Sequence, residues 1–391
     1  MTPRLMQMAL LLTVAACGSA PSSTAAQPSA GRPFTVAEVA SFSTPWAMDF
    51  LPGSGVRMTT AALVSEREGK LWLVDTATGR RQAVSGVPRV HVEGQGGLGD
   101  VVAHPDYAGN QRIYLSFVEA GPNGTSGAAL GYGHLLFGSA ASRGAVGGVQ
   151  LEGFKVIWRQ TPKVSGDGHF SHRIAFAPDG TIFLTSGDRQ KMQPAQDMAS
   201  DLGKVHHLTA EGAPVAGNPW ASRGGRAAMY WSMGHRNPLG IAFAPDGRLW
   251  ISEMGPQGGD ELNLILPGRN YGWPLASYGS HYGGGNIADD HRGRRFEEPK
   301  VWWNPVISPG GLLIYSGDLF RDWQGDALIP ALSGEALIRV DIDGDKARKA
   351  DHWPMGARIR EVAQGPRGEI YLLEDGGRLL RLEPSAQRRR Q

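Results

Sequence analysis

Met229–Pro274 reads MYWSMGHRNPLGIAFAPDGRLWISEMGPQGGDELNLILPGRNYGWP, and its middle decides the fold. The apolar run Ile241–Phe243 enters the turn Ala244-Pro245-Asp246-Gly247 and leaves it as Arg248–Ser252. Proline presets φ for a turn, aspartate bonds its own backbone and glycine accepts a left-handed corner, so this segment is predicted to be an antiparallel hairpin. Polar groups stand at its open end: His235-Arg236-Asn237-Pro238 before it, Gly255-Pro256 and Asp260-Glu261 after it. Strands hold such loops and the loops carry the chemistry.

The same punctuation recurs along the chain, at Leu51-Pro52-Gly53, His104-Pro105-Asp106, Ala177-Pro178-Asp179-Gly180, Ser308-Pro309-Gly310 and Gly365-Pro366-Arg367-Gly368. Short β-rich runs accompany it, as in Lys70–Val74, Arg112–Phe117, Thr181–Thr185 and Glu369–Leu373, and no long amphipathic helix is read from about Phe34 onward. One turn type at a quasi-period marks repeated supersecondary units. The expected fold is therefore all-β: a six-bladed β-propeller of four-stranded blades with variable loops. A pair of β-sandwiches is the alternative, but it supplies no reason for one turn to recur over the whole chain. In a propeller, loops from different blades converge over the central channel, so residues far apart in sequence can share a site.

At 391 residues, with 55 Gly, 26 Pro and 19% charged residues, there is room for one large all-β domain or two ordinary ones. The 39 Lys and Arg against 37 acidic residues leave a formal charge of +2, which gives no reason to expect a nucleic-acid or acidic-membrane partner. Arg4 and the apolar run Leu5–Ala16, too short to cross a bilayer, read as a signal peptide over residues 1–16 and hence as export. The run ends in Val14-Ala15-Ala16-Cys17, which resembles the lipobox of bacterial lipoproteins and predicts a periplasmic protein lipid-anchored at Cys17. A plain signal peptide, with Cys17 incidental, is the alternative. Cys17 is the only cysteine, so an intramolecular disulfide is excluded. Residues 17–33 follow as a flexible tether, 34–386 as a single propeller domain and 387–391, with Arg388–Arg390, as a solvated basic tail.

Four constellations could carry chemistry. His169 lies before the strand that leads to Asp188, so the two bracket one hairpin. A neutral histidine serves as a general base, and a carboxylate on its other ring nitrogen fixes the tautomer. On spacing alone His169 also reads as a structural histidine. Arg236, beside Asn237, offers a fork that stabilises negative charge on an oxygen, or equally pairs with a neighbouring carboxylate. The carbonyls of Gly255 and Pro256 suit a hard cation such as Ca²⁺, although most Gly-Pro pairs are only turns. Arg358 and Arg360 flank Ile359, so strand alternation places both guanidinium groups on one face, where they suit a polycarboxylate or phosphate unless they are merely solvated.

Taken together these residues resemble the soluble glucose/sorbosone dehydrogenase family, six-bladed propeller enzymes that use pyrroloquinoline quinone (PQQ) and Ca²⁺ and include the bacterial aldose sugar dehydrogenases. The likeness runs from about residue 41 to 384. It is carried by Gly94-Gln95-Gly96-Gly97-Leu98-Gly99 with His104-Pro105-Asp106-Tyr107, His169 with Arg173, Gly234–Pro238, Gly255-Pro256 with Asp260–Asn263, Asn270-Tyr271-Gly272-Trp273-Pro274 and Arg358-Ile359-Arg360. The resemblance implies that His169 removes the proton of the sugar's anomeric hydroxyl while hydride passes to the quinone, and that Asp188 orients it. It implies that Arg236 stands beside the reacting quinone carbonyl, that Gln95 and Asn237 contact the cofactor, and that the Gly255 and Pro256 carbonyls bind Ca²⁺. It implies that Arg358 and Arg360 receive PQQ carboxylates. The partners implied are an aldose substrate and an external electron acceptor of unspecified identity.

Two positions depart from the family pattern. A family lysine that helps hold PQQ is replaced within Ala331-Leu332-Ser333-Gly334, where Ser333 carries no charge, and Ser171 stands for a usual glycine, followed by the unusual His172. Competing functions are a non-catalytic propeller binding a ligand or protein, which needs no base and arginine together, and a Ca²⁺-dependent lactonase, which needs side-chain carboxylates and amides converging on the metal.

Overall fold

The computed structural model describes residues 31–53, 60–138, 148–289, 291 and 296–385. The apolar run, Cys17, most of the tether and the basic tail lie outside the described residues.

The chain is a β-propeller. Its strands fall into successive four-stranded antiparallel units. The first is Pro45–Phe50, Ala61–Glu66, Lys70–Asp75 and Arg81–Ser85; the second is Leu98–Ala103, Arg112–Ala120, Ser126–Phe137 and Val149–Arg159. A short parallel pairing of Val84 with Val149 and Ser85 with Gln150 joins these two into one eight-stranded sheet. The third, fourth and fifth units start at Ser171–Phe176, Pro238–Phe243 and Leu313–Ile314. The sixth combines Ile359–Gln364, Ile370–Glu374 and Arg378–Pro384 with Phe34–Ser41 from the other end of the chain, Phe34 pairing with Pro384.

Each unit is covered on both faces, which explains its sequence. Ile182–Ser186, Leu249–Glu253 and Ile370–Glu374 are buried at every position, and each opens on consecutive apolar residues instead of an alternating pattern before ending in polar ones. The core lies between units and closes a ring. Leu63 and Leu71 pack with Ile113 and Leu115, Tyr114 and Leu130 with Ile182 and Leu184, and Ala175 and Phe183 with Ile241 and Ile251. Trp250 and Leu262 pack with Ile329 and Ile338, Leu328 and Leu337 with Ile359 and Leu372, and Tyr371 and Leu373 with Met48 and Val64.

The Pro-containing turns at 52, 105, 178, 245 and 366 each join the first strand of a unit to its second. Ser308-Pro309-Gly310 does not belong to that series: it precedes Leu313–Ile314 and lies at the opposite end of its unit. The first strands surround the central channel, and five of them shift register where they begin, at Pro45/Ala47, Leu98/Val101, Ser171/Ile174, Pro238/Gly240 and Ile359/Glu361. Bulges re-aim side chains, and these turn residues at the strand starts inward over the channel mouth.

Deeper in the channel, Asp49, Asp100, Arg173, Gly240, Leu312 and Glu361 line a cavity of about 330 Å³. Arg173 donates to Asp100 Oδ1 (3.4 Å), Glu361 Oε2 and the Gly310 carbonyl (2.6 Å), and its guanidinium lies 4.0 Å from the Trp46 ring centre. Burial pushes the Glu361 carboxyl up to about 7 in spite of Arg173. A carboxyl whose folded value is raised contributes stability that is present below its ordinary value and lost as pH rises through the folded one. Glu361→Gln is therefore expected to gain stability relative to the parent between about pH 5 and pH 8, read from denaturation midpoints. A difference that does not change with pH would contradict this account of the channel.

Candidate active site

The channel mouth on the side where the first strands begin holds a cavity of about 520 Å³. Two kinds of loop build it: the approach to each first strand and the exit from each second strand. The approaches give Gln95 and Phe170, the strand starts themselves give Trp46, Ser171 and His172, and the exits give Arg67, Met254 and Asp375.

His169 and Asp188 meet at the end of the third unit's first hairpin, with Nδ1 2.7 Å from Asp188 Oδ1. Asp188 is fully buried and also accepts hydrogen bonds from the Gln190 amide (2.8 Å), the Met192 amide (3.2 Å) and Trp273 Nε1 (2.7 Å). Burial works against its charge, but the hydrogen bond and charge of His169 and the other donors outweigh that and hold the carboxyl below its usual range. An ionised carboxylate only accepts, so Nδ1 carries a proton, which leaves Nε2 as the ring nitrogen that exchanges one. Gln95 positions the same residue from the other side, its Oε1 accepting the His169 amide at 2.8 Å.

The loops around this pair are strained. His169 (φ 51°), Ser171 (59°), His172 (56°), Arg189 (54°), Gln190 (57°) and Met192 (60°) all have positive φ, which residues other than glycine rarely adopt. Ser171 thus adopts a glycine-like backbone, and its hydroxyl donates to Asn237 Oδ1 at 3.0 Å. Arg189, wholly buried, holds the loops together. Its Nε donates to the Gly168 carbonyl (2.9 Å), its Nη1 to the Ser126 carbonyl (2.7 Å) and its Nη2 to the Gly166 carbonyl and Ser126 Oγ (3.2 Å). The guanidinium lies 3.7 Å from the Phe170 ring centre, and burial pulls its pKa down to about 10.

The other expected residues gather around the mouth in different ways. Arg236 donates through Nη1 to the Met254 (3.0 Å) and Gly255 (2.5 Å) carbonyls and lies 5.3 Å from the Trp273 ring centre; among the described residues its buried Nε has no partner. The Gly255 carbonyl expected to bind a cation is thus engaged by Arg236. Among the described residues no cluster of three His, Cys, Asp or Glu side chains is placed to hold a metal. Asn237 does not line the cavity: it is buried, accepting from Ser171 and placing Nδ2 3.6 Å from Met254 Sδ. Asp260 braces the Gly255 loop, accepting from the amides of Gly255 (2.8 Å), Ile307 (2.7 Å) and Ser308 (2.6 Å), with burial pushing its carboxyl to about 6.

Arg358 and Arg360 both line the cavity, with Ile359 buried behind them, as the strand alternation requires. They are not unneutralised. Asp375 takes both, from Arg358 Nε at 3.0 Å and from Arg360 Nε and Nη2 at 2.9 and 2.7 Å. With Arg67, the lining still holds three guanidinium groups against this one carboxylate, a donor set that fits a ligand bearing more than one carboxylate. Ser333 is exposed and shares a 2.7 Å hydrogen bond with Ser308, which lines the cavity. The sequence reading missed Asp375, Arg67, Trp46 and Arg189, and it missed the bond from Trp273 to Asp188. Arg67, Asp188, Met254 and Asp375 each lie just past a second strand, so a count from strand ends was the signal available.

The glucose/sorbosone dehydrogenase family matches residues 42–381. Aldose sugar dehydrogenase YliI of Escherichia coli is 37% identical over 347 residues, covering 87% of this chain and 90% of that protein. A crystal structure described as glucose dehydrogenase is 42% identical with a TM-score of 0.81, covering 90% of this chain and 100% of the other. The PQQ-bound form of an aldose sugar dehydrogenase from Streptomyces coelicolor is 30% identical with a TM-score of 0.71, covering 90% and 98%.

Arg189 generates a stability test. Arg189→Met leaves the Gly168 carbonyl without a donor, while the Ser126 carbonyl keeps the Val164 amide (3.1 Å) and the Gly166 carbonyl keeps Ser126 Oγ (3.5 Å); at about 1–3 kcal/mol for a group left unsatisfied, a loss of that order is expected in urea denaturation. Arg189→Lys, which keeps a cation but not the fork, is expected to fall between. A midpoint equal to the parent's for Arg189→Met would show that the loops hold themselves.

Proposed function

The chain belongs to the glucose/sorbosone dehydrogenase family, and from that membership we propose that it oxidises the anomeric hydroxyl of aldose sugars to the lactone, using PQQ and Ca²⁺ and passing electrons to an external acceptor. It is a PQQ-dependent oxidoreductase of the aldose sugar dehydrogenase type. The observation that carries the reading is the His169–Asp188 pair flanked by Gln95 and Phe170, which line a cavity that also presents Arg67, Arg358 and Arg360.

PQQ, a planar tricarboxylate quinone, supplies when bound the two-electron acceptor for the hydride leaving the anomeric carbon. The chain's own residues do the rest. His169 Nε2 takes the hydroxyl proton, and the ionised Asp188 stabilises the imidazolium that results. Arg358 and Arg360 hold cofactor carboxylates, with Asp375 fixing the two guanidinium groups in place. Arg236, whose buried Nε has no partner among the described residues, is the group that would stabilise negative charge on a quinone oxygen. Gln95 spends its Oε1 on the His169 amide and keeps its NH₂ for the cavity. Asn237 acts through Ser171, not by direct contact. The Gly255 and Pro256 carbonyls are hard oxygen donors of the kind Ca²⁺ takes, and for Gly255 to serve, Arg236 Nη1 must leave it.

His169→Asn tests the base, asparagine being tolerant of a φ of 51°. Turnover of an aldose with an artificial dye acceptor is expected to fall by about 10²–10⁴-fold, while PQQ titration and the denaturation midpoint stay close to the parent's. Near-parent turnover in the folded variant refutes the role. Export to the periplasm with a lipid anchor at Cys17 is part of the same proposal, supported by Arg4, the short apolar run and the sole cysteine. Metabolic labelling with a fatty acid is expected to mark the parent and not Cys17→Ala; labelling that persists in the variant, or never occurs, removes the anchor.

A further inference from the structure

His172 is a buried imidazole on the cavity wall with no part in the chemistry above. Three contacts set its ring. It stacks on Trp46, centroids 5.1 Å apart at 17°. It occupies a slot that exists because residue 99 is glycine, since a Cβ there would overlap the ring's Cε1 edge. Its Nδ1 is 2.8 Å from Ser116 Oγ.

The third contact bears on the tautomer. Ser116 Oγ accepts the Asp100 amide at 2.9 Å, and its hydroxyl hydrogen is assigned to His172 Nδ1, the acceptor within reach at 2.8 Å. Nδ1 then offers its lone pair and Nε2 carries the ring's hydrogen. Among the described residues Nε2 has no hydrogen-bond partner, although His172 lines the 520 Å³ cavity. The surroundings oppose a second proton: burial comes first and the Arg173 guanidinium next, and with Arg189 they outweigh a hydrogen bond to the residue's own backbone and depress the imidazole to about 3. Asp100, whose amide shares Ser116 with the ring, is itself engaged by Arg173 and the Ile174 amide.

We infer that His172 is a cofactor-binding residue, whose neutral Nε2–H donates a hydrogen bond to an acceptor oxygen or nitrogen of the planar polycarboxylate quinone held in this cavity. The inference rests on the PQQ reading above. It separates His172 from the arginines: they supply charge at the cavity edge, and His172 supplies one directed neutral donor from beside Trp46.

The test is PQQ titration into apo-protein, followed by the absorbance of the bound quinone. His172→Phe keeps a ring on Trp46 and removes the donor. His172→Gly is the second variant, because φ 56° is glycine's own region and the backbone there relaxes. Both are expected to bind PQQ about 10-fold more weakly than the parent, the effect of one hydrogen bond to a charged or strongly polar ligand. The parent-to-variant ratio is expected to stay flat from about pH 5 to pH 8, as for a donor that does not titrate there. Either variant, correctly folded, binding as tightly as the parent overturns the inference. A ratio that falls steeply above about pH 6 also overturns it, because the donor would then be an imidazolium. A parent that takes up no PQQ refutes the PQQ reading itself, a result separate from the other two.

Discussion

One guanidinium, that of Arg173, sits where the sheets meet. It starts from the third unit and reaches Asp100 in the second, Glu361 in the sixth, the Gly310 carbonyl on the approach to the fifth and the Trp46 ring in the first. A buried charge is tolerated only when paired and hydrogen-bonded, so these groups must converge on it for the propeller to close as it does. The site inherits that requirement. His172 and Ser171 precede Arg173 directly, and a strand tethered at Arg173 leaves His169 little freedom to drift from Asp188.

The features that betray the fold and those that perform the chemistry lie at opposite ends of the sheets. The Pro-Asp-Gly turns are local and legible, because each residue type answers a need of its own backbone. They sit between first and second strands, away from the cavity, and the one turn misassigned to the series, Ser308-Pro309-Gly310, lies on the cavity side. Site residues follow no local rule. That His169 faces Asp188 could be read from one hairpin, but the sharing of Asp375 by Arg358 and Arg360 depends on how a strand exit folds back, and the pairing of Asn237 with Ser171 joins neighbouring units. Arg236 bonding Gly255 is likewise a contact between two loops that spacing alone leaves open.

The backbone around the cavity is the part least like an ordinary β-sheet. First strands shift register as they begin, and residues of positive φ that are not glycine cluster between His169 and Met192. Such conformations persist only when the surroundings over-determine them. Here the surroundings are the four donors on Asp188 and the fork of Arg189 on three carbonyls. Rigidity is thus concentrated at the His169 loop, where a general base must meet a substrate proton within hydrogen-bond reach.

The sixth unit borrows its outer strand from the beginning of the chain, with Thr35 and Glu383 in contact across 348 residues. During synthesis, Phe34–Ser41 is among the first described strands to be made and the last to find its neighbour. Until Arg378–Pro384 arrives, it presents an open hydrogen-bonding edge, the kind of surface on which chains aggregate. Five of its eight residues are exposed even in the finished ring, and the polar ones among them, Thr35, Glu38 and Ser41, make the edge a poorer template for a stranger. The order of manufacture thus runs against the order of assembly, and the waiting strand is written in residues that can afford to wait.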